Sequence, residues 1–105
     1  MGYRIFRTDK ADEFIHGIIL RVAEQFGNSA ALEKLDELES AILSLSDNPF
    51  LGTKPRYNIL RRQGYLVLIA EKDLIFYKVD ENEKTVTIYA VVDQRQNYLN
   101  IIRGL

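Results

Sequence analysis

The sequence has no cysteine and no tryptophan, and only one histidine and two prolines in 105 residues. Without thiols there is no disulfide, no thiolate metal site and no cysteine nucleophile, as expected of a protein from a reducing compartment. A single histidine, His16, excludes a multi-histidine zinc site as well, so neither a metal nor another cofactor is expected. His16 stands between Ile15 and Gly17 in a helical stretch and reads as a surface or packing residue rather than an acid. Long apolar runs are also missing: nothing approaches the roughly 18 residues needed to cross a bilayer. Arg4, Arg7, Asp9 and Asp12 interrupt any signal-peptide core, and the expectation is a cytoplasmic protein with no membrane partner.

Charge of one sign is not in excess either, since the formal net charge is −1. The whole molecule is therefore no electrostatic magnet for nucleic acid or anionic lipid. What is present is charge segregation. Glu24, Glu33, Asp36, Glu37, Glu39 and Asp47 face a single Lys34, whereas Lys54, Arg56, Arg61 and Arg62 follow with no acid between them. With 47% apolar and 28% charged residues the composition is that of one ordinary globular domain, spanning 1–105.

Periodicity supplies the elements. Tyr3 to Arg7 alternates like a short strand, and Thr8 or Asp9 can cap a helix whose apolar stripe is Ala11, Phe14, Ile15, Ile18, Ile19, Val22 and Phe26. Gly27 ends that helix, and Asn28 and Ser29 restart one with Ala31, Leu35, Leu38, Ile42 and Leu45 on its stripe. Asp47-Asn48-Pro49 stops it, because proline lacks the N–H for the next helical bond. From Asn58 the period changes to two. Asn58 to Arg62 and Tyr65 to Ala70 read as strand with Gly64 a bend or bulge, followed by strands at Leu74 to Val79 and Thr85 to Val92. In the last of these, Val86, Ile88, Ala90 and Val92 share the face expected in the core. Gln94 to Leu105 carries Tyr98, Ile101, Ile102 and Leu105 at helical spacing. The expected fold is α+β in the order β-α-α-β-β-β-α, with an N-terminal strand and helical hairpin packed on a twisted antiparallel sheet and a short C-terminal helix.

Several pieces of the chain, taken in order, resemble the RelE/ParE superfamily of type II toxin–antitoxin toxins. They are Tyr3-Arg4-Ile5, Leu45-Ser46-Asp47-Asn48-Pro49 with Gly52, Leu60-Arg61 with Gly64-Tyr65, Leu74-Ile75-Phe76-Tyr77-Lys78-Val79-Asp80, Val86-Thr87-Ile88 and Arg95-Gln96-Asn97-Tyr98. The resemblance implies a toxin held inactive by a cognate antitoxin protein. It implies one of two targets: the ribosome, where RelE-like members cut mRNA without a metal, or DNA gyrase, which ParE-like members inhibit by binding.

Metal-free RNA cleavage requires a base for the ribose 2′-hydroxyl, positive charge for the phosphorane and an acid for the leaving oxygen. By matching position the catalytic candidates are Arg61, Arg95 and Tyr98, and Lys54, Arg56 and Arg62 are candidates for binding RNA or another target. Two residues depart from the family pattern. Leu66 stands where many members carry arginine and Asp93 where many carry histidine; leucine cannot stabilise a phosphate and aspartate repels one. These departures favour non-enzymatic or weakly catalytic action. An inert member that only binds antitoxins is the alternative. Tyr98 has a second reading as an anchor of the terminal helix, and the basic cluster a second reading as solvated surface.

Overall fold

The computed structural model describes residues 2–105. Strand β1 (Arg4–Arg7) leads into helix α1 (Asp9–Phe26), which the Thr8 hydroxyl caps by accepting from the Ala11 N–H at 3.0 Å. Gly27, at φ 93°, makes the whole connection to α2 (Asn28–Asp47), a conformation that side chains with a Cβ rarely adopt. The two helices pack together as a hairpin. After an irregular segment come a short helix α3 (Asn58–Arg62), the strands β2 (Leu66–Ala70), β3 (Asp73–Asp80) and β4 (Thr85–Asp93), and a last short helix α4 (Leu99–Arg103).

The sheet order is β1-β4-β3-β2. The last three strands form an antiparallel meander, while β1 lies parallel to β4 on the far side, Ile5 opposite Val86. The helical hairpin between β1 and the meander is what lets the chain re-enter the sheet in parallel. No helix among the described residues is long and apolar enough to cross a membrane.

Three sequence expectations are corrected. Residues Asn58–Arg62 are helical rather than strand, because Leu60 alone of them turns fully inward, to the core cluster beside Tyr65 and Ile102. Gly64, at φ 90°, makes the expected bend and turns the chain into β2. The C-terminal helix is confined to Leu99–Arg103, with a turn at the preceding Gln94–Gln96. Phe26, assigned to the α1 stripe, is 72% exposed at the last residue of α1.

The fourth correction concerns β4. Phe76 pairs with Ala90 and Tyr77 with Ile88, so Tyr89 is an extra residue opposite nothing. Such a bulge reverses the side-chain alternation downstream. Val86, Ile88 and Val91 therefore pack with Ala11, Ile15, Leu38 and Leu45 of the hairpin, whereas Ala90 and Val92 fall on the opposite face with Leu60, Phe76, Tyr98 and Ile102. One face of the sheet is covered by α1 and α2, and part of the other, around Phe76, Ala90 and Val92, by α3 and α4.

Candidate functional site

The segment between α2 and α3 is fixed by backbone contacts before any of its charged side chains is placed. Buried Tyr77 reaches up from β3, and its hydroxyl accepts from the Gly52 N–H at 2.9 Å. Burial pushes the Tyr77 phenol up from its ordinary pKa, against the downward pull of the Gly52 N–H. A Cβ at Gly52 would lie 2.5 Å from the Val67 carbonyl oxygen, so only glycine lets the segment run this close to β2. Thr53 then bonds Val67 in both directions, at 2.9 and 2.8 Å. The next residues, Lys54 and Arg56, are exposed directly beyond this anchor.

Around that anchor the structure gathers four of the six sequence candidates. Arg61, placed on α3 and not on a strand, donates from Nε to the Pro55 carbonyl and so ties α3 to the loop. The Arg56 guanidinium lies over the Tyr57 ring at 5.0 Å and donates to its hydroxyl at 3.2 Å. Tyr57 meets Tyr98 edge-on at 5.8 Å, and Tyr98 tilts against Phe76 at 5.2 Å. Two adjoining grooves share Lys54: one of about 450 Å³ with Phe50, Arg61 and Tyr65 in its wall, the other of about 260 Å³ with Arg56, Ile69 and Tyr98. Burial raises the Tyr98 phenol, with Arg56 pulling the other way and Tyr57 adding to the rise. Burial, with Tyr89 beside it, raises Tyr65 too. No carboxylate or imidazole lines either groove.

The other two candidates lie elsewhere. Arg62 is exposed and lines neither groove. Arg95 lines a separate groove with Arg21, Val22, Lys34 and Lys72, on the side of the helical hairpin. There it is bound by Asp93, whose carboxylate accepts from its backbone N–H at 2.8 Å and from its guanidinium at 3.2 Å. These hydrogen bonds from Arg95, side chain first, hold the Asp93 carboxyl below the usual carboxylate range, and Asp93 in turn raises Arg95.

Three features escaped sequence reasoning. Lys78 sits over the rings of Tyr65 at 4.5 Å and Tyr89 at 5.0 Å, an arrangement that depends on cross-strand register and the bulge. Tyr57 directly follows Arg56, and that adjacency was the available signal for their contact. Lys34 and Asp73, far apart in sequence, form a 2.9 Å ion pair with Asp73 only 4% exposed. No group of three potential metal-ligating side chains occurs among the described residues.

A helical hairpin on one face of a four-stranded sheet, with a parallel edge strand contributed by the N-terminus, is a fold shared with solved chains of ParDE and RelBE systems. A chain of the chromosomal ParDE system from P. aeruginosa is similar with a TM-score of 0.73 and 17% identity, over 87% of this chain and 95% of that one. A chain of the toxin–antitoxin complex RelBE2 from Mycobacterium tuberculosis is similar with a TM-score of 0.64 and 20% identity, over 91% and 95% of the two chains. Among curated proteins no sequence matches. Residues 5–98 match the sequence model of the family described as the ParE toxin of the type II toxin–antitoxin system parDE. The chain belongs to this family and is the toxin component of a type II toxin–antitoxin module.

Proposed function

We propose that this toxin acts by binding a protein target, DNA gyrase, in the cytoplasm, without cleaving RNA, and that a cognate antitoxin masks it. The observation that carries this reading is the lack of a carboxylate or imidazole at the basic grooves. Lys54, Arg56 and Arg61 converge there with Tyr65 and Tyr98, whose phenols are both pushed toward the protonated form. Charge for a phosphorane and an acid are thus present, but no carboxylate or imidazole lies there to take the proton of the 2′-hydroxyl. Arg95, which the nuclease reading needs, is turned to the other side and neutralised by Asp93. Resemblance to ParE-like members, which inhibit gyrase by binding, points the same way.

The convergence of three cations with Tyr98 favours the competing reading, an mRNA endonuclease. Expression of the wild-type chain in cells separates the two. Growth arrest with relaxed plasmid DNA and intact transcripts, reversed by co-expression of the antitoxin, is the expected result. Arrest with transcripts cut at defined positions contradicts it, and normal growth at high expression identifies an inert antitoxin-binding module instead.

A further inference from the structure

The two grooves that share Lys54 run along the outer edge of β2, the last strand of the sheet. Val67 spends its outward N–H and C=O on Thr53. Two residues on, Ile69 presents its own backbone groups the same way with no partner among the described residues, and its side chain is 62% exposed. Phe50, at the other end, is 54% exposed. Among the described residues none of Lys54, Arg56 and Arg61 forms an ion pair, although acidic residues outnumber basic ones 15 to 14 in the whole chain. Three cations without an ion pair, two exposed apolar side chains and the open edge position at Ile69 lie together, with no acid among them.

The aromatic residues decide which polyanion suits this surface. Single-stranded nucleic acid binds by stacking bases on free aromatic faces. Here Arg56 covers Tyr57, Lys78 covers Tyr65 and Tyr89, and Tyr98 is packed against Tyr57 and Phe76. A carboxylate needs no ring face, only donors, and Lys54, Arg56 and the Tyr98 hydroxyl supply them.

We infer that this channel is the contact site for an extended acidic segment of the toxin's protein target. Its carboxylates meet Lys54 and Arg56, its backbone pairs with Ile69, and an apolar side chain lies between Ile69 and Phe50. The inference rests on the protein-target reading above. Edge pairing supplies affinity independent of sequence and the charges supply selectivity, so binding weakens as salt screens the cations.

The test uses the full chain and a fluorescent twelve-residue peptide alternating glutamate with leucine. Its glutamine counterpart and a single-stranded RNA twelve-mer serve as competing probes. The glutamate peptide is expected to bind at least tenfold more tightly than the other two. The double variant Lys54→Ala/Arg56→Ala is expected to lose at least tenfold of that binding, and Arg62→Ala none, with circular dichroism unchanged in both. No binding at millimolar glutamate peptide, equal binding of the glutamine peptide, preference for RNA, or full binding by the double variant overturns the inference. A parallel supercoiling assay separates this failure from that of the function. If the double variant inhibits gyrase as well as wild type, the channel is wrong and the function stands; if wild type leaves supercoiling untouched, the function itself fails.

Discussion

The Asp93 carboxylate grips Arg95 at both ends, Oδ1 taking the backbone N–H at 2.8 Å and Nε at 3.2 Å while Oδ2 takes Nη2 at 3.2 Å. In the sequence Asp93 departs from the nuclease motif by repelling phosphate, while Arg95 keeps to it as a catalytic candidate. In the structure they spoil it together, because the arginine's charge is already answered. Asp93 is held below its ordinary pKa, so its contribution to stability is present above the unfolded carboxyl value of about 3.9 and is lost as pH falls through the lower folded value. Urea denaturation of wild type and Asp93→Asn is expected to show the variant less stable at neutral pH. The gap should close in acid, below the folded value.

Lys34 and Asp73 form a different kind of pair. Burial lowers the Lys34 ammonium's pKa, but the hydrogen bond and charge of Asp73, helped by Glu37, outweigh it and leave the net shift upward. Lys34→Met strands a nearly buried carboxylate and is expected to cost about 3 kcal/mol in chemical denaturation. A raised lysine contributes fully below its unfolded pKa of about 10.4 and ceases to do so as pH rises through the folded value. The difference between wild type and variant should therefore persist at neutral pH and shrink in strong alkali.

Tyr77 links the core to the basic grooves through Gly52. Tyr77→Phe keeps the ring and removes the acceptor, leaving the Gly52 N–H without a partner, at a cost of about 1 to 2 kcal/mol. Loosening at Gly52 should also reduce target inhibition, since Thr53 and Lys54 follow directly. Gly52→Ala, whose Cβ runs into the Val67 carbonyl, should be the more damaging of the two in thermal melts.

The sheet's second buried face makes a further demand. Ile102 of α4 is fully buried beside Leu60, Phe76 and Tyr98. Ile102→Ala is expected to cost about 2 to 4 kcal/mol by calorimetry or denaturant titration, a core-sized loss from a position near the end of the chain. A loss of a few tenths would mean that α4 is peripheral.

Much of the architecture was legible because it depends on local signals. Thr8, Gly27 and Pro49 punctuate the two long helices, and the β-branched run from Thr85 marks β4. The failures have a common cause in tertiary context. Asn58–Arg62 is too short for either period to dominate, and burial of Leu60 decides it as helix. Nothing local marks the bulge at Tyr89, which exists because β3 and β4 pair out of step, yet it sends Val91 to one core and Ala90 with Val92 to the other. The candidate site divided along the same line. Lys54, Arg56 and Arg61 are near in sequence and stay near in space, with Tyr98 brought in through Tyr57, whereas Arg95 follows Asp93 round the turn to the other side.

The proposal that Lys54, Arg56, Arg61 and Tyr98 serve target binding rather than RNA cleavage is tested most directly with purified components: the toxin incubated with gyrase and relaxed plasmid, and in parallel with ribosomes translating a defined mRNA. Loss of supercoiling with the message intact is the predicted result. Cleaved message with unimpaired supercoiling, abolished by Arg61→Ala or Tyr98→Phe, would contradict it.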